Sequence, residues 1–334
     1  MHTTHDANQT QSEGAELTRV EDLWFPTDII VIRAESTIFR VFSGVLAAKS
    51  SVFRDMIAFP QPSEADTENM DGHPVVRLHD KPEDVEVFLR ALYDSEYFMP
   101  PPSPVTLQAL LAILRLSHKY DVPYLHRRAL DHLNADGFYR RTYEETKVGH
   151  IDYGIVPLMA SLSVIIAATQ VKADWLLPYT YYCAATYSPE ELSQHVDGET
   201  HDCALKALTA HAHLVRGAID ISCYLTTGPS TCTTIMKCPA ARKASLSQLL
   251  ETLSDSYISP LPPSEDLQNF EDNGACSNCL ADAKTKQHEA ASKFWDELPQ
   301  IFGLPPWKDL RAMKRAAMGQ DDESSDEESG DESD

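Results

Sequence analysis

The sequence predicts an α+β chain, with a small sheet packed on helical hairpins at its N-terminus and a mostly α-helical C-terminal domain behind it. Two observations carry this. Residues 28–32 and 38–42 are short runs rich in β-branched and aromatic side chains, spaced like a hairpin about Ala34-Glu35-Ser36. From Ile151 to about Arg311, by contrast, apolar residues recur mostly at helical spacing.

Taken in order, residues 43–56 hold two short helices, each able to start on a serine N-cap, Ser43 and Ser50. Residues 75–78 read as a third strand. Asp80 then caps a helix with Pro82, Glu83 and Asp84 in its first turn, where the fixed φ and the helix dipole favour them. Val85, Phe88, Leu89 and Leu92 fall at i, i+3, i+4 and i+7, one buried stripe. After Pro100-Pro101-Pro102, Ser103-Pro104 opens a helix with Leu107, Leu110, Leu111 and Leu114 inward, and Ala129, Leu130 and Leu133 belong to a further one. Leu46, Phe53, Leu89, Leu114 and Leu125 are the expected core.

Residues 153–171 carry no charge, long enough on paper to span a bilayer, but Gly154, Pro157, Ser161, Ser163, Thr169 and Gln170 interrupt them. Leu158, Leu162, Ile165 and Ile166 instead make the stripe of a buried helix. Pro178 starts the next helix after Trp175-Leu176-Leu177, and Ser188 caps another ahead of Pro189-Glu190-Glu191. Leu205, Leu208, Ala212 and Val215 line one face of a further helix, and residues 244–253 form another.

The N-terminal residues resemble a known family. A strand ending in Phe42, a small helix with Val45-Leu46, then Ser50 and Phe53-Arg54-Asp55-Met56 resemble the BTB/POZ domain. So do Leu92-Tyr93 closing the third helix, and Leu114-Arg115-Leu116-Ser117-His118-Lys119-Tyr120 followed by Leu125 and a last helix. The resemblance implies a protein that binds other proteins and pairs with itself through its first helix and strand edges. Leu17, Val20 and Trp24, at i, i+3 and i+7 before Pro26, are the apolar interface face to expect. Family members that dock the ubiquitin-ligase scaffold cullin-3 carry a hydrophobic-x-Glu motif where this chain reads Phe59-Pro60-Gln61; corepressor-binding members carry His and a basic residue after the strand-ending Phe, where this chain has Ser43. The C-terminal half resembles BTB proteins of mushroom-forming fungi through Ala173-Asp174-Trp175-Leu176-Leu177-Pro178 and the run from Phe294 to Trp307.

The chain has 7 cysteines, all beyond residue 180 and odd in number, which points to a reducing compartment, nucleus or cytosol. Cys232 and Cys238 form one pair and Cys276 and Cys279 a Cys-x-x-Cys pair, the donor set of a tetrahedral Zn²⁺ site with sulfurs within about 4 Å of one another. Cys223 and His288 are the substitute ligands. Free structural thiols and a redox-labile pair are the alternatives. His195 and His201, in a loose cluster with Cys203, and the pair His211 and His213 read as surface histidines.

Net charge is −23, which disfavours direct nucleic-acid binding through phosphates. Residues 321–334 hold nine acids and no base, a segment that cannot bury a core and is expected to be disordered. Ser324, Ser325 and Ser329 each have an acid three residues on, the pattern of acid-directed kinases such as casein kinase 2; an unmodified solubilising tail is the alternative. No phosphate loop, dinucleotide fingerprint, zincin or nucleophile-elbow motif occurs, so no enzyme is expected. The domains expected are a flexible leader without a signal segment at 1–21, the BTB/POZ-like domain at 22–135, a helical domain at 136–312 and an acidic tail at 313–334. The expected function is an interaction scaffold, self-associating and presenting its helical domain to a partner. A cullin-3 adaptor or a transcription-associated regulator is the alternative, with neither nucleic acid nor membrane bound directly.

Overall fold

A computed structural model describes residues 28–58, 69–135, 138, 140, 157–196, 198–252, 258–261 and 265–320. The chain forms two compact units, divided between Asp80 and Lys81, inside the expected 22–135 domain.

In the first unit, β1 (Ile29–Ala34) and β2 (Thr37–Phe42) form an antiparallel hairpin, turned at Glu35 with φ of 50°, and pair from Ile29–Phe42 to Ala34–Thr37. β3 (Asn69–Met70) and β4 (His73–Leu78) make a second hairpin, and β4 lies parallel to β1 with Ile32 opposite Val76. The sheet order is β2-β1-β4-β3, so β1 is central and β2 is an edge. Their side chains follow suit: Ile30, Val31, Ile32 and Ala34 are buried, whereas β2 alternates and leaves Ile38 and Phe42 51% and 55% exposed. The β1–β4 crossover carries α1 (Ser43–Lys49) and α2 (Ser51–Ala58), which bury Leu46 and Phe53 completely. Ser50 caps α2, accepting a hydrogen bond from the Phe53 N–H at 3.0 Å. Ser43 does not cap α1: it is the first helical residue, and its hydroxyl donates to the Asp28 carbonyl at 2.9 Å, tying the helix start to the head of β1.

The second unit opens with α3 (Pro82–Tyr93), α4 (Leu107–Lys119) and α5 (Pro123–Ala135). Leu89, Leu114 and Leu125 are buried as expected, and Arg115 reaches Asp84 at 2.9 Å to join α4 to α3. Two starts differ from expectation. Lys81, not Asp80, precedes α3, with Pro82 as first residue; Thr106, not Ser103, caps α4, accepting from the Ala109 N–H at 3.3 Å. In both places a second polar residue nearer the helix occupies the position that the more conspicuous one suggested.

Further on come α6 (Leu158–Gln170), α7 (Leu177–Ala185), the short α8 (Pro189–Ser193) and the long α9 (His201–Ile221). At 13 residues α6 is short, and no described helix is long and apolar enough to cross a membrane. Ser188 and Glu191 form the full capping box of α8. The buried face of α9 corrects the expected one: Leu205 and Ala212 are exposed, and Cys203, Ala204, Ala207, Ala210, Leu214, Gly217 and Ala218 face inward. Small residues let another helix approach closely there. A Cβ on Gly217 would lie 2.5 Å from the Phe294 ring of α12 (Ser277–Ile301).

Two further helices, α10 (Cys238–Thr252) and α11 (Glu265–Asp272), precede α12, so α10 begins six residues before the expected 244. α13 (Trp307–Met318) closes the described chain. It runs on past 312, into residues assigned to the tail, and stops where Gly319 adopts a left-handed φ of 65°. Trp295 and Trp307 stack at 4.9 Å, the Trp307 indole N–H donating to the Trp295 carbonyl at 2.8 Å. Lys314 donates to Asn134 at 2.7 Å, bringing α13 back to α5.

Candidate functional site

The loop after α9 and the starts of α10 and α12 converge on four sulfurs. A turn ties the Cys232 N–H to the Pro229 carbonyl at 3.2 Å, and the loop then climbs to Cys238, the first residue of α10. Gly274, with φ of 92°, reverses the chain after α11 so that Cys276 stands at the N-cap of α12 and Cys279 lies one turn in. Three of the four cysteines therefore sit at helix N-termini, where the dipole favours a thiolate. The sulfurs of Cys232, Cys238, Cys276 and Cys279 all lie within 4.8 Å of one another. That is wider than the about 4 Å expected and about an ångström more than the edge of a tetrahedron with metal–sulfur bonds of about 2.3 Å. All the cysteines are free thiols.

Polar contacts to the sulfurs complete the cluster. The Cys276 N–H donates to the Cys238 sulfur at 3.3 Å, the Thr234 hydroxyl lies 2.9 Å from that same sulfur, and Arg242 Nη2 donates to the Cys279 sulfur at 3.1 Å. Asn278 donates to the Thr231 carbonyl at 2.7 Å and pins the loop to α12. Around the sulfurs lies a small apolar cluster of its own, with Tyr224, Leu225, Ala241, Phe270 and Ala283 buried and Leu246, Leu249, Leu267 and Leu280 packed on it. Hydrogen bonds from Thr233 pull the Cys276 thiol down to about 5, whereas burial pushes Cys279 up to about 12. At Cys238 burial acts upward, but the hydrogen bonds from Thr234 and the Cys276 backbone outweigh it and the net shift is down. Adjacent thiols cannot all ionise on their own; a divalent cation among them removes that conflict.

The substitutes Cys223 and His288 are not in the cluster, and Cys223 is exposed. Among the described residues no other group of three or more such side chains converges. Cys203 hydrogen-bonds the Thr200 carbonyl at 3.1 Å, and burial pushes its thiol up. His211 is half-buried, with Nδ1 2.9 Å from the Ala185 carbonyl, rather than a surface group. Arg242 was not among the expected site residues, although its place four residues after Cys238 on a helix puts both on one face. Leu17, Val20, Trp24, the Phe59-Pro60-Gln61 stretch, Ser324, Ser325 and Ser329 lie outside the described residues.

At the other end of the chain, residues 18–136 match the family model of the BTB/POZ domain. The N-terminal part of this chain is a BTB/POZ domain. The BTB/POZ domain is a protein–protein interaction module, not an enzyme family, and such domains mediate homo-oligomerisation and binding to other proteins. No curated protein and no solved structure matches the chain, so the likeness of its C-terminal half to fungal BTB proteins gains no support there.

Proposed function

We propose that this protein is an interaction scaffold that self-associates through its BTB/POZ domain and presents its helical C-terminal region to a partner protein. The family match over residues 18–136 carries this reading, and the exposed Ile38 and Phe42 on the edge strand β2 add to it. An edge strand whose outer face carries Ile38 and Phe42 on either side of Arg40 is a ready pairing surface. Leu17, Val20 and Trp24 supply the second apolar face of the pairing. The odd number of cysteines, all beyond residue 180, fits a reducing compartment, nucleus or cytosol. Ser324, Ser325 and Ser329 are targets of an acid-directed kinase, and their phosphates widen the tail's appeal to basic partners. Cross-linking of the full chain tests the scaffold reading: a dimer that Ile38→Lys with Phe42→Lys disrupts is the expected outcome. Affinity purification then identifies the partner; a cullin among the captured proteins, lost on removing the BTB/POZ segment, would make the protein a ubiquitin-ligase adaptor.

The four-cysteine cluster holds a structural Zn²⁺ ion in this reading. Four convergent sulfurs from two pairs, two of them buried, with N–H and guanidinium donors on the sulfurs, are what supports it. Metal analysis of the purified protein should find one zinc per chain, removed together with Cys232, Cys238, Cys276 and Cys279. A protein purified under reducing conditions and zinc supply that carries none contradicts the assignment.

A further inference from the structure

We propose that Arg242 is the counter-cation of a tetrathiolate metal site, its guanidinium placed against Cys279 to offset the negative charge that four thiolates gather around one divalent ion. This rests on the zinc reading above and adds to it the residue that makes so charged a cluster tolerable inside an apolar core.

The observations are geometric. Arg242, a cationic side chain, is only 8% exposed. Its Nη2 donates to the Cys279 sulfur at 3.1 Å, its Cζ lies 5.6 Å from the centre of the Phe270 ring, and its Nε is buried without a hydrogen-bond partner. Gly228 leaves the guanidinium its room: any Cβ there would overlap the guanidinium atoms. Acidic residues outnumber basic ones 51 to 28 in this chain, yet among the described residues Arg242 makes no ion pair with a carboxylate. A buried guanidinium is costly unless an opposite charge faces it. The group that faces this one is the sulfur cluster. Four neutral thiols offer no charge to oppose it. Four thiolates on a divalent ion carry a net charge of −2, and the guanidinium halves it while forming a charge-assisted N–H···S bond. Arg242 is thus a positioning residue: it touches a metal ligand and not the metal.

The test uses the full chain loaded with cobalt(II) and zinc, as wild type, Arg242→Met and Arg242→Lys. Wild type should show the tetrahedral cobalt spectrum with thiolate charge-transfer bands. In Arg242→Met the zinc affinity, read by competition with a chelator, should fall about ten- to a hundredfold. Its charge-transfer bands should move to longer wavelength, because losing the donor and its positive field raises the sulfur lone pairs. Arg242→Lys, which keeps the charge, should recover most of the affinity. An Arg242→Met protein with wild-type affinity and unshifted bands would overturn the proposal, and so would Arg242→Lys behaving no better than Met, since packing alone would then explain the loss. If Arg242→Met does not fold, Gly228→Ala decides: it displaces the guanidinium without removing it and should shift the bands in the same direction, and unchanged bands overturn the role. Wild type that takes up cobalt without thiolate bands fails the zinc reading itself, a result separate from either of these.

Discussion

Cys279 and His126 show how one side chain's surroundings set a measurable property. Cys279 is buried one turn into α12 with a guanidinium on its sulfur, so Cys279→Ser should abolish the proposed zinc binding and expose the apolar cluster around Phe270. Metal content and dye binding to the variant check both effects. His126, on α5, is half-buried with its ring 5.3 Å from His118; burial first, and the His118 charge second, lower its pKa from 6.5. A depressed pKa means that the unfolded chain takes up the proton before the folded one does. The stability tied to a neutral His126 is therefore intact above pH 6.5 and drains away as pH falls below it towards the folded pKa. Unfolding measured from pH 8 to 5 should show His126→Gln losing less stability over that interval than wild type; equal slopes would remove His126 as a cause. The cysteines were legible in the sequence because paired thiols at short spacing have few uses. Arg242 was not, since a lone arginine on a helix looks like any solvated base until the fold shows what it is packed against.

At the level of elements, what was readable followed from how local the signal was. The hairpin β1–β2 and the Ser50 and Ser188 caps depend on neighbours a few residues apart. Ser50→Ala should cost about 0.5–2 kcal/mol by thermal or denaturant unfolding. Phe53→Ala, which empties the core position of the same helix, should cost about 3–5 kcal/mol. The parallel pairing of β1 with β4 and the buried face of α9 were not readable, because both are set by distant parts of the chain. The expected stripe of Leu205, Leu208, Ala212 and Val215 marked the wrong face of α9, since the inward face is built mostly of small residues where Phe294 of α12 packs on Gly217. Gly217→Ala would drive a methyl group into the Phe294 ring and should destabilise by about 1–3 kcal/mol. Adding Phe294→Leu to it should recover part of that loss, and an additive pair in a double-mutant cycle would show that the two do not meet.

Over the whole molecule, an interaction domain at one end is followed by helices that gather four thiols into a cluster near the other. With zinc bound there as proposed, metal and folding would be linked, so a chelator should loosen the segment from Cys232 to Cys279 while leaving the BTB/POZ residues protected. Hydrogen exchange with and without chelator reads both regions in one experiment, and uniform protection in the two states would deny the cluster a structural metal. The broad organisation was legible because the family resemblance rests on ordered elements from residue 28 to residue 133; the partner was not, because no residue pattern names it. The central claim, a scaffold that pairs with itself through the BTB/POZ domain, is tested most directly by sedimentation velocity of the full chain. At tens of micromolar a dimer is expected, which Ile38→Lys with Phe42→Lys converts to monomer; a wild-type chain that sediments only as a monomer would contradict self-association.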